Sequence, residues 1–148
     1  MNTYTIDVTS EENITIPNGV EETLVFALEY LSVKPAEVSV SFISDEAMQT
    51  LNLEYRTLDE PTDVLSFAQE ENPFPFAQSP ILGDIVISLD TMERNALLFG
   101  VEPAVEVKRL LIHGLLHLLG HDHATNESDE AMLVLQEEIL AQLLRSER

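Results

Sequence analysis

Residues 110–123 read LLIHGLLHLLGHDH, and the architecture turns on how this stretch folds. Up to Leu119 it is apolar nearly all round, the pattern of a helix covered on every side rather than laid on a surface. Pro103 stands where a first-turn proline belongs, and Gly120 is a natural left-handed stop, so the spacing predicts a buried central helix from Pro103 to Leu119. Other elements must cover it. On the N-terminal side, Asp90 to Phe99 forms a further helix ended by Gly100. On the C-terminal side, a last helix is expected from Asn126 or Ser128. Glu127, Asp129 and Glu130 would complement its dipole, and Met132, Leu135, Ile139 and Leu143 would make its core stripe.

The first half of the chain has a different period. Thr3 to Val8 alternates enough for a short strand, and in Val38 to Ile43 the residues Val38, Val40 and Phe42 face one way. Val64 to Ala68 and Asp84 to Ser88, the latter opened by Gly83, read as two more strands. Val20 to Leu31 has approximate helical spacing, and Ser44 and Asp45 can cap a helix that ends near Arg56. Gln69 to Pro80, with three prolines and two phenylalanines, is expected to be a loop. Strands early and helices late indicate an α+β fold, a small mixed sheet of about four strands packed with about five helices. With 148 residues, 45% of them hydrophobic, and no repeat or linker, residues 1–148 read as one domain.

Composition removes several functions. With no cysteine, thiol nucleophiles, CxxC redox pairs and Cys-ligated metals are excluded. A formal net charge of −20 opposes bulk attraction to DNA or anionic lipid. The N-terminus has neither a basic start nor an apolar h-region, and Leu110 to Leu119 is too short to span a bilayer. A cytoplasmic protein without membrane association is expected.

All four histidines fall between His113 and His123. On a helix, His113 and His117 are i and i+4, with Cβ atoms about 5–6 Å apart on one face. Gly120 then lets the chain turn so that His123 can return as a third ligand. Three imidazoles with an open position describe a catalytic rather than a structural metal site. The competing reading is a set of core histidines satisfied by backbone, for which an apolar helix would bury several polar rings without return. A His₃ set suits zinc first, with nickel and other divalent ions also compatible. The spacing matches the metzincin pattern HExxHxxGxxH except that Gly114 replaces the general-base glutamate, which argues against peptide hydrolysis.

The string HGLLHLLGHDH resembles the HGxLHLxGYDH signature of the YbeY family of single-domain, metal-dependent endoribonucleases. LNLEYRTLDEPTDVLSF, Leu51 to Phe67, is similar to that family's LNxxYRxxDxPTDVLSF segment, and LGDIVIS, Leu82 to Ser88, to its LGDIxIS strand. The three matches come in the family's order over roughly Leu51 to Leu144. The resemblance implies a compact, zincin-like α+β fold and cleavage of single-stranded RNA. It also implies maturation of ribosomal RNA near the small-subunit 3′ end and a role in ribosome quality control. By position it gives His113, His117 and His123 the metal-ligand roles, with one divalent ion per chain. Arg56 takes the place of the family's arginine important for activity. His121 stands where the family usually has an aromatic residue.

On the residues alone, several roles stay open. Arg56 either stabilises charge on a phosphoryl group or neutralises its helix C-terminus. Arg109, one turn before His113, lends positive potential to the site or is solvated near Lys108. Asp122 orients a ligand imidazole or forms a turn, and His121 contacts the site or stacks in that turn. Asp63 and Asp84 read as turn residues, Ser66 as substrate-lining or structural, and the 83–88 strand as a cleft wall. The acidity calls for a small local positive site, and for targeting to RNA on the ribosome or through a ribosome-associated protein. The remaining functional alternatives are a metallohydrolase of another class, amidase or peptidase, and a non-catalytic ribosome-assembly factor with a structural metal.

Overall fold

The computed structural model describes residues 4–69, 81–123 and 125–147. The alternating segments form strands β1 (Tyr4–Ser10), β2 (Ala36–Ile43), β3 (Val64–Ala68) and β4 (Ile81–Ser88), in the spatial order β1-β2-β4-β3. The β1–β2 and β2–β4 pairs are parallel, whereas β3 runs antiparallel to β4 and forms an edge of this mixed sheet. The helices are α1 (Val20–Tyr30), α2 (Asp45–Arg56), α3 (Leu89–Phe99), α4 (Pro103–Leu118) and α5 (Ala131–Ser146). Among the described residues, the α+β arrangement of four strands and five helices is the expected one. Of the segment read as a loop, Gln69 follows β3 outside any strand, and residues 70–80 lie outside the described residues.

The period-2 pattern divides the sheet into two faces. Val38, Val40, Phe42, Ile85 and Ile87 are fully buried in the main core with residues of α1, α4 and α5. Val86, one residue out of phase with Ile85 and Ile87, packs instead with Leu65 and with Met48 of α2. The helix carrying Arg56 therefore covers one face, and the helix carrying His113 and His117 covers the other. As expected, α4 is central: it touches β3, β4, α1, α3 and α5.

Two boundaries differ from expectation. β4 begins at Ile81, so Gly83 lies inside the strand rather than opening it. The ladder steps from Glu37–Ile81 to Val38–Gly83, which leaves Leu82 as the extra residue of a bulge. Gly83 has φ 138°, and a Cβ there would collide with the Phe67 carbonyl oxygen. α5 starts at Ala131, later than Asn126 or Ser128. Glu130 Oε1 accepts hydrogen bonds from the Thr125 amide (3.1 Å) and hydroxyl (3.0 Å), and the Glu127 amide donates to Thr125 Oγ1 (3.2 Å). Those bonds tie residues 125–130 into a turn, so Glu127, Asp129 and Glu130 precede the helix instead of occupying its first turn.

Ser44 caps α2, its hydroxyl accepting from the Ala47 amide at 3.1 Å, which leaves Asp45 free for a tertiary role. Asp45 accepts from the Ser88 and Thr91 hydroxyls, both at 2.6 Å, and pairs with Arg94 at 2.7 Å. Burial pushes its carboxyl up, but these hydrogen bonds and the Arg94 charge outweigh it and hold the pKa below the ordinary value. Ser88 and Thr91 are 0% and 8% exposed, so Asp45→Ala leaves both hydroxyl hydrogens without the carboxylate that accepts them. The expected cost is about 2–3 kcal/mol, read as a lower thermal midpoint. Because the folded pKa lies below the unfolded value of about 3.9, the ionic share of that stability is complete above the unfolded pKa. It is lost as pH falls through the folded one, so parent and Asp45→Ala should converge in acid.

Candidate metal centre and cleft

α4 delivers the first two imidazoles. His113 and His117 lie one turn apart, with ring centroids 4.7 Å from each other. The helix then ends in a Schellman motif: the Gly120 amide donates to the His117 carbonyl and the His121 amide to the Leu116 carbonyl, both at 3.0 Å. Gly120 takes φ 95°, as expected for a left-handed stop. The chain reverses and brings the His123 ring to 5.4 Å from His113 and 5.5 Å from His117. One ligand nitrogen from each ring lies within 4.8 Å of the other two. Three convergent imidazoles suit a divalent ion such as zinc, and the chemistry of the donor set fits the group expected there.

The rings are only partly buried, yet that is enough to shift two of them. Burial lowers the His113 pKa; the contact with Gln136 opposes this, and His123 nearby adds to the lowering. Burial likewise lowers that of His117, assisted by His113 and His123. Both shifts favour the neutral ring, the form that can donate a lone pair to a metal. His123 Nδ1 is 2.8 Å from the Thr125 carbonyl oxygen. A carbonyl only accepts, so Nδ1 carries the hydrogen and Nε2 is left as the donor atom.

A cleft of about 560 Å³ opens beside the three rings. Its other lining residues include Arg56 at the end of α2, Thr62 and Asp63 before β3, Val64 to Ser66 and Ala68 of β3, and Asp122. The wall is thus edge strand β3 and not the 83–88 strand, which lies one strand further in; Asp84 is an exposed residue of β4, not a turn residue. Arg56 is exposed, and among the described residues its guanidinium makes no ion pair or hydrogen bond. Asp63 lies in a bend as expected, and its carboxylate accepts from Asn95 Nδ2 at 3.4 Å. Ser66 serves both readings: it lines the cleft, and its hydroxyl donates to the Gly114 carbonyl at 3.4 Å.

The open alternatives near the histidines separate cleanly. Asp122 Oδ1 accepts from the backbone amide of His123 at 2.8 Å and, among the described residues, from no ligand imidazole; the residue lines the cleft. His121 is exposed and does not join the other three. Arg109 does neither of the things anticipated. Its guanidinium is taken up by Glu106 at 2.6 Å and by both oxygens of Glu137, at 2.9 and 3.1 Å, so its charge is not available to the cleft.

Sequence reasoning passed over three residues that build the site. Gln49 and Asn52, one turn apart on α2, bind the loop after Arg56: Gln49 Nε2 donates to the Asp59 carboxylate (2.9 Å) and Asn52 Nδ2 to the Glu60 carbonyl (2.8 Å). They hold the segment that brings Thr62 and Asp63 to the cleft. The third is Gln136, buried on α5, whose Oε1 lies 2.7 Å from His113 Nδ1. Its signal was available: it falls four residues after Met132 and three before Ile139, a polar residue inside an apolar stripe.

Fold and site together define a small α+β protein with a three-imidazole cluster fit for a divalent ion, set in an open cleft beside an arginine that is unpaired among the described residues. Residues 4–144 match the family model described as Endoribonuclease YbeY. Two similar proteins carry that name. One, from Treponema denticola, is 44% identical over 128 residues, covering 85% of this chain and 83% of that protein. The other, from Geobacillus kaustophilus, is 42% identical over 143 residues, covering 93% and 90%. The solution structure of TM1509 from Thermotoga maritima superposes with a TM-score of 0.65 at 26% identity, covering 97% of this chain and 93% of that one. The chain belongs to the Endoribonuclease YbeY family. Among the described residues, no helix is long and apolar enough to cross a membrane.

Proposed function

We propose that this chain is a metal-dependent endoribonuclease that cuts single-stranded RNA during ribosomal RNA processing. In this reading residues 1–148 form one domain, His113, His117 and His123 hold one divalent ion, zinc first, and Arg56 is the catalytic arginine. The observation that carries the reading is the meeting of three convergent imidazoles and an uncommitted guanidinium on one cleft. The same proposal extends to maturation of the small-subunit 3′ end, to ribosome quality control and to a cytoplasmic location, and family membership supports it.

The residues divide the work. A divalent ion held by the three rings supplies Lewis acidity for water and for a phosphoryl oxygen. Arg56 contributes a planar fork that matches two phosphate oxygens and offsets the charge that develops on phosphorus. Among the described residues it makes no ion pair, so it gives up none of them to do so. Thr62 and Ser66 bring hydroxyls to the same cleft and can position the ribose or phosphate. The net charge of −20 opposes long-range capture of RNA, so affinity for free RNA is weak and a ribosome or ribosome-associated protein supplies the targeting.

The test is cleavage of single-stranded against duplex RNA by highly purified protein, with and without a chelator. Arg56→Ala is expected to slow cleavage about 10²–10³-fold while leaving zinc binding unchanged. Cleavage by that variant at the parent rate would remove Arg56 from the mechanism, and chelator-resistant cleavage would remove the metal.

A further inference from the structure

From the chain of contacts behind His113 we infer that Gln136 is a positioning residue, fixing His113 in the tautomer whose Nε2 faces the cluster, and that Glu137 and Arg109 fix Gln136 in turn. The inference rests on His113 being a metal ligand, as proposed above, but the arrangement of hydrogens it requires holds in the protein without metal.

The relay runs inward from the surface. Arg109 has only donors, and it grips both oxygens of Glu137, at 2.9 and 3.1 Å, while its remaining arm holds Glu106 at 2.6 Å. Ionised Glu137 has only acceptors. Burial raises its pKa, but the hydrogen bonds from Arg109 and Gln136 prevail and keep it below the ordinary carboxyl value. The Gln136 side-chain atom that meets Glu137 Oε2, at 3.0 Å, must therefore be the NH₂ group, because an amide oxygen there would oppose another acceptor. The amide cannot turn over without losing that bond. Its oxygen is thereby directed at His113 Nδ1, 2.7 Å away, and an oxygen that only accepts requires Nδ1 to carry the hydrogen. The His113 lone pair then lies on Nε2.

Gln136 is 6% exposed, so water offers no easy substitute for these bonds. The same tautomer follows at His123 from the Thr125 carbonyl. One ligand is thus oriented by backbone and another by a side-chain relay that begins at an ion pair. Partners of this kind set ring orientation and ligand basicity in metal centres, and losing one typically costs 10–100-fold in metal affinity.

Nitrogen-15 correlation spectra of the full chain without metal, at a pH where the rings are neutral, read the tautomer directly. The expected result is His113 hydrogenated at Nδ1; a ring hydrogenated at Nε2 overturns the inference. Zinc affinity, measured by chelator competition, is expected to fall about 10–100-fold in Gln136→Leu. Equal zinc affinity in the parent and Gln136→Leu, with circular dichroism matching the parent, also overturns it. Should Gln136→Leu fail to fold, the parent spectrum decides. A parent with the Nδ1 hydrogen that binds no zinc would leave the relay standing and sink the metal reading instead.

Discussion

His117→Ala is expected to weaken zinc binding by at least about 10²–10³-fold and to remove RNA cleavage altogether. A three-imidazole site divides a binding free energy on the order of 10 kcal/mol among three ligands, and each loss of about 1.4 kcal/mol is tenfold in affinity. His117 is only partly buried and borders the cleft, so alanine opens space to solvent rather than a closed cavity. The thermal midpoint without metal should therefore stay close to the parent's. Chelator competition and melting curves check the two halves separately. Undiminished zinc affinity in a folded variant would take His117 out of the centre.

Gly114→Glu, which would complete the metzincin pattern, is expected to prevent folding rather than to create a protease. A Cβ at Gly114 would stand 2.9 Å from Ile85 Cγ2, 3.2 Å from Ile85 Cγ1 and 3.2 Å from Ser66 Oγ. The glycine is the point at which α4 presses against the sheet. Gly114→Ala already overpacks this contact, by about 1–3 kcal/mol, partly offset by alanine's better helix propensity of about 1 kcal/mol. Glutamate adds the burial of a charge with no basic partner among the residues that its Cβ meets, several kcal/mol more, against a total stability of about 5–15 kcal/mol. Circular dichroism of the purified variant checks this; a folded Gly114→Glu with the parent's melting temperature would disprove the close contact. The missing carboxylate is thus a packing requirement as well as a chemical difference.

How much of this was legible depended on whether a signal was local. The His113–His117 spacing, the proline opening α4 and Gly120 beyond its end each act within a turn or two, and the centre could be anticipated from them. So could the strands, whose alternation reports a buried face directly. The start of α5 misled because acidic residues before a helix look alike whether they occupy its first turn or the turn ahead of it. Only the Thr125–Glu130 hydrogen bonds decide that. Arg109 misled for a related reason: position placed it on the His113 face, but its partner Glu137 is 28 residues away on another helix. The cleft wall was legible only in part: Ser66 of β3 was placed there, but so was the 83–88 strand, because strand order is a property of pairing, and β3 and β4 exchange the places that their sequence order suggests.

The division of helices between the two faces of the sheet has one more consequence. Arg56 arrives from the α2 layer and the imidazoles from the α4 layer, with the rim of β3 between them. The edge strand is thus the frame across which the two layers reach one cleft. A ligand seated in this cleft of about 560 Å³ would meet groups from both helix layers at once.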